Sequence, residues 1–119
     1  MADELTISIS LSFSKGGAVV RRAFSGTIDV SGGQFQHSVQ TVGTVEEALS
    51  IHSDVGAIGY VFIQNLDSTN YIQIGPATGR TDFRLLAGEA TIFRLDTGTT
   101  IYVKANTAQL DVEYIVLEP

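Results

Sequence analysis

The residues able to do chemistry are few and scattered. His37 and His52 are the only histidines, and neither sits at the recurrent spacing of a metal-ligand set. The chain has no cysteine, so neither disulfides nor thiolate metal sites contribute. No Gly-x-Ser-x-Gly elbow presents a serine nucleophile. Glu46 and Glu47 are adjacent, which on a strand sends them to opposite faces. A glycosidase needs its two carboxylates roughly 5–10 Å apart across a cleft, an arrangement the sequence does not show. Gly75-Pro76-Ala77-Thr78-Gly79 lacks the Gly-Lys-Ser/Thr ending of a phosphate loop. These residues predict no catalytic, cofactor or metal site and no enzyme.

The polar knot Asn65-Leu66-Asp67-Ser68-Thr69-Asn70 lies between two apolar runs. Its oxygens could serve a Ca²⁺ loop, but calcium takes six to eight of them, usually from several carboxylates, and Asp67 is the only acid here. Asp and Asn bond their own backbone two residues on, so the knot is expected to turn the chain as a hairpin loop. Tyr60, Tyr71, Tyr102 and Tyr114 are the candidates for stacking on a sugar. There is no tryptophan, and tyrosines on alternating strands commonly sit at the core edge with the hydroxyl at the water line.

Seven basic residues stand against thirteen acidic ones, a net charge of −6, and only Arg21-Arg22 are adjacent. Phosphate backbones are held by clustered Lys and Arg, so nucleic acid is not an expected partner. The start, MADELTISIS, has acids where a secretory signal carries basic residues, and no apolar run approaches the roughly 20 residues that span a bilayer. No membrane partner is expected, and the protein is expected to be made in the cytoplasm. With 44% hydrophobic and 17% charged residues, residues 1–119 are expected to form a single domain with one core.

Strand signals dominate. Leu5, Ile7, Ile9, Leu11 and Phe13 alternate strictly with Thr6, Ser8, Ser10 and Ser12, placing apolar side chains on one face and hydroxyls on the other. Lys15-Gly16-Gly17 reads as a turn into a second strand, Ala18 to Ala23, followed by Phe24 to Val30, whose register Gly26 obscures. Gln34 to Val42 is expected to pair back across Ser31-Gly32-Gly33. Thr44 with Glu47 fits a capping box, so 46–51 could be a short helix, but Leu49 and Ile51 alternate and a strand is favoured. Gly59 to Gln64 is apolar on both faces, as in a central strand. Thr81 to Leu86 and Ala90 to Leu95 flank Ala87-Gly88-Glu89 as a compact hairpin, and alternation returns at Ile101 to Ala105 and Leu110 to Val116. Turns recur at the roughly 8–12-residue spacing of sandwiches and barrels. The fold class is all-β, a two-sheet antiparallel β-sandwich with jelly-roll-like connections, with a single closed barrel as the alternative.

The first strand raises a separate question. Residues 5 to 13 hold no charge, proline or glycine, the devices that keep an exposed edge from pairing with other chains. Its backbone is therefore expected to be paired on both sides, as a central strand of its own domain or as a strand shared with a neighbouring subunit. Leu5, Ile7, Ile9, Leu11 and Phe13 are the candidate interface residues, and residues 1–13 a candidate interface strand or arm.

From Gln40 onward the chain resembles a family of small β-sandwich proteins of tailed bacteriophage particles. The segments that carry this are QTVGTVEEAL (40–49), GYVFIQNLDSTNYIQIG (59–75), LLAGEATIFRL (85–95) and IYVKANTAQLDVEYIVLE (101–118). The resemblance implies a structural accessory of the virion: a capsid decoration or cement protein, or a small tail or head–tail component. Its implied partners are the major capsid protein, other virion proteins and copies of itself, and its implied location is the virion. A carbohydrate-binding module for host recognition is the alternative. The first third, including ISISLSF, lies outside the resemblance.

Overall fold

The computed structural model describes residues 4–119; residues 1–3 of the 1–13 arm lie outside the described residues. The chain divides into two compact units, one ending at Ser31 and the other spanning Gly32–Pro119.

The first unit is a hairpin of β1 (Leu5–Lys15) and β2 (Ala18–Ile28). Lys15 faces Ala18 across a two-residue loop in which Gly16 and Gly17 have φ of 58° and 87°. Two consecutive positive φ values make a type I′ connection, whose twist matches that of the flanking strands, and glycine takes it without a Cβ penalty. The antiparallel register then runs unbroken to Leu5 opposite Ile28.

The second unit contains β3 (Phe35–Val42), β4 (Glu47–Ala48), β5 (Tyr60–Asn65), β6 (Ile72–Gly75), β7 (Phe83–Leu85), β8 (Ala90–Arg94), β9 (Tyr102–Ala105) and β10 (Leu110–Leu117). They form two four-stranded antiparallel sheets, ordered β3-β10-β5-β8 and β4-β9-β6-β7. Apart from β6-β7, every step along the chain from β3 to β10 crosses from one sheet to the other. This is the double Greek-key order of an eight-stranded jelly roll.

Alternation builds the core. Val61 and Ile63 of β5 and Val112, Tyr114 and Val116 of β10 point inward from one sheet, meeting Ile72, Ile74, Val103 and Ala105 from the other. Each large aliphatic side chain buried this way stabilises the fold by roughly 1.5–3 kcal/mol.

Several expectations change in the fold. Phe24 to Val30 is not a separate strand; β2 runs through Gly26 to Ile28. Gln34 to Val42 does form a strand, but it pairs with β10 and not back across Ser31-Gly32-Gly33. Glu47–Ala48 is strand and not helix, yet only two residues long. The backbone beyond it is held by side chains: Gln40 Oε1 accepts from Ser50 N–H, Gln36 Oε1 accepts from His52 N–H, and both Nε2 groups donate to carbonyls of the same segment. Inward glutamines on β3 thus stand in for a strand partner. The segments around 65–70 and 86–89 are not hairpin loops, because β5 and β6, like β7 and β8, belong to different sheets.

β1 pairs with β2 alone among the described residues, so the reading of Leu5–Phe13 as a central strand of its own domain does not hold.

Candidate functional site

The hairpin register decides what its two faces carry. Residues directly opposite share a face, so Leu5, Ile7, Ile9, Leu11 and Phe13 are joined by Ile28, Gly26, Phe24, Arg22 and Val20. The other face carries Thr6, Ser8, Ser10, Ser12 and Ser14 opposite Thr27, Ser25, Ala23, Arg21 and Val19. On the apolar face, Ile9, Leu11, Phe13, Val20 and Phe24 are 49%, 59%, 50%, 53% and 57% exposed. Ile7 is buried and Leu5 half-buried. Ile7 stands opposite Gly26, and the Phe24 ring folds over that glycine: a Cβ there would lie 2.8 Å from the ring. The five candidate interface residues therefore do share one face, of which Ile9, Leu11 and Phe13 are the accessible part. Sequence reading missed the β2 contribution because it ended the second strand at Ala23, leaving Phe24 in a separate segment, and assigned no register that sets Val20 opposite Phe13.

The jelly roll has an apolar surface of its own. Across the β3-β10-β5-β8 sheet, Phe35, Leu117 and Tyr60 fall in one row, and Ile115, Phe62 and Ile92 in the next. None belongs to the buried core, and Phe35 is among the most exposed apolar residues. This explains why the strand around Val61 reads as apolar on both faces. A cleft of about 460 Å³ also opens between β7 and β8, walled by Ile74, Phe83, Leu85, Thr91, Phe93 and Ile101. Arg84 is its only ionisable lining group, and that guanidinium lies 4.0 Å from the centre of the Tyr71 ring. Among the described residues its lining therefore holds no acid, base or activated nucleophile.

The residues weighed for chemistry are placed apart. His37 Nε2 sits 2.6 Å from Glu113 Oε2 on a sheet surface. His52 Nδ1 accepts from Asp54 N–H within its own turn. Glu46 accepts from Gly79 N–H, fastening the Gly75–Gly79 loop, while Glu47 accepts from Gln40 and Gly43 N–H. No group of three or more His, Cys, Asp or Glu among the described residues is placed to hold a metal ion.

The polar knot is an organised turn. Asn65 is fully buried, and its Nδ2 reaches the carbonyls of Asn70, Leu85 and Leu86 at 2.9, 3.2 and 3.2 Å. Its Oδ1 accepts from Asp67 N–H, and Asp67 Oδ2 accepts in turn from Asn70 and Thr69 N–H. Those two backbone donors, Asn70 first, hold the Asp67 carboxyl below its ordinary range. Its Oδ2 is engaged in the turn.

Of the four tyrosines, Tyr114 is buried, with its hydroxyl donating to Ser50 C=O. The rings of Tyr60 and Tyr71 are covered by the guanidinium groups of Arg94 and Arg84, at 4.7 and 4.0 Å. Tyr102 is half-buried on β9. One ring face is thus covered by a guanidinium at Tyr60 and at Tyr71, and Tyr114 is buried.

Comparison of the chain with protein-family models, with curated proteins and with solved structures finds no match.

Proposed function

We propose that this protein is a non-enzymatic structural component of a tailed-phage particle, a capsid decoration or cement protein that binds the major capsid protein and its own copies. The observation that carries the reading is the exposed apolar face of the hairpin, on a β1 strand with no charge from Leu5 to Ser14. An isolated two-stranded hairpin is marginal in water, so such a face calls for a partner. The jelly roll supplies the body of the protein, and its outer sheet face offers further apolar area. The resemblance of residues 40–118 to virion accessory proteins supports placing that partner on a phage particle. Many copies on one shell add avidity, so each contact can be weak.

Quantitative mass spectrometry of purified virions, counting this chain per major capsid subunit, tests the proposal. Copy numbers of the order of the capsid protein's support decoration of the shell. A handful of copies moves the protein to the tail or neck, and absence from the particle rejects the reading.

A further inference from the structure

We infer that the partner of the hairpin's apolar face is the same face of a second copy of this chain, packed face to face. The inference rests on the reading of the hairpin as an assembly element.

The available area is the first argument. Ile9, Leu11, Phe13, Val20 and Phe24 are each about half exposed. With a large side chain presenting roughly 200 Å², the face offers on the order of 500 Å² per copy. Two faces together remove on the order of 1,000 Å² from water, which reaches the lower bound for a specific interface.

Charge is the second. Among the described residues the face carries no acid, and its two cations are Arg22, opposite Leu11, and Lys15, opposite Ala18 beside the turn. Both charges ride on long stems that reach the solvated rim, so the apolar centre itself holds nothing that selects a charged partner or rejects its own image. A two-fold contact brings identical patches together, so apolar meets apolar with no need for charge pairing.

The third is what stacking repairs. Each hairpin has two strands and one apolar face, short of the three strands or second layer that independent stability requires. Two of them face to face form a two-layer, four-stranded unit with an interior about 10 Å thick. The hydroxyl face, Thr6 to Ser14, then points to water.

Sedimentation velocity of the full chain should give the mass of two chains, and Leu11→Lys that of one, with the thermal transition of the jelly roll unchanged. Because the chain has no native cysteine, single-cysteine variants read the geometry directly in an otherwise native protein. Under oxidation, Ile9→Cys or Leu11→Cys should cross-link two copies, whereas Ser10→Cys, on the opposite face, should not. A wild-type chain that is monomeric at every concentration, or Ser10→Cys cross-linking as well as the apolar-face variants, overturns the inference. A monomer that still binds particles, with binding lost in Leu11→Lys, overturns it while leaving the proposed function standing. A dimer absent from virions supports the inference and rejects that function.

Discussion

The buried amide of Asn65 ties the two sheets of the jelly roll together: from the end of β5 its Nδ2 reaches the Leu85 carbonyl at the end of β7, 3.2 Å away. The same nitrogen lies within reach of the Leu86 and Asn70 carbonyls, so one side chain closes both the 65–70 crossing and the 86–89 turn. Asn65→Leu keeps the volume but strands those carbonyls. It is expected to cost about 3 kcal/mol of unfolding free energy in urea titration. A loss under about 0.5 kcal/mol would mean that the crossings hold without it.

Glu118 makes the chain end sensitive to acid. Its carboxylate accepts from Gly56 N–H at 2.7 Å and from Gly33 and Gln34 N–H at 3.0 Å. These donors, Gly56 foremost, hold its pKa below the ordinary 4.5, as Asn70 and Thr69 do for Asp67. A carboxylate depressed by folding stabilises the protein above its unfolded pKa, and that contribution is lost as pH falls through the folded value. The thermal midpoint should therefore drop as pH is lowered below about 4.5. Glu118→Gln should start a few degrees lower at neutral pH and converge on the wild type in acid. Parallel pH curves for the two proteins would refute the role of Glu118.

Tyr114 sets the opposite limb. Burial raises its pKa above the ordinary 10.0, partly offset by a hydrogen bond with Ser38. A raised acid keeps its stabilising effect below the unfolded pKa and loses it as pH climbs toward the folded value. Stability should fall above pH about 10 in the wild type, with a shallower fall in Tyr114→Phe. At neutral pH the same variant is expected to lose about 1–2 kcal/mol, because the Ser50 carbonyl loses its phenolic donor. Chemical denaturation across the alkaline range reads both effects.

The core lies in Gly32–Pro119, so removing residues 1–31 should leave a cooperative thermal transition within a few degrees of the full chain. By contrast, Ile63→Ala, inside the fully buried layer, should cost about 4 kcal/mol. Differential scanning calorimetry compares them, and a truncated chain that no longer unfolds cooperatively would show that the jelly roll needs the hairpin.

β1 and its turn were legible in the sequence because both are local. Strict alternation over Leu5–Phe13 specifies a strand and its apolar face, and Gly16-Gly17 specifies a two-residue reversal, without reference to anything distant. The sandwich class was legible for the same reason: period-two runs such as Ile101 to Ala105 and Leu110 to Val116 recur between short turns. The polar knot was legible as a turn from its Asp and Asn, though not as a crossing between sheets.

What the tertiary structure alone decided is which strand each run pairs with. Phe83–Leu85 and Ala90–Arg94 look like the arms of a hairpin, yet they join β6 and β5 in opposite sheets. A short turn is compatible with either outcome, and only the burial of both inner faces selects the crossing. β3 is the sharper case, since Phe35 and Val39 face outward while Gln36 and Gln40 turn in to bind the 48–52 backbone. Apolar periodicity marks two faces but not which one is inside. There the unpaired backbone of a distant segment, which needed hydrogen-bond partners, fixed the direction.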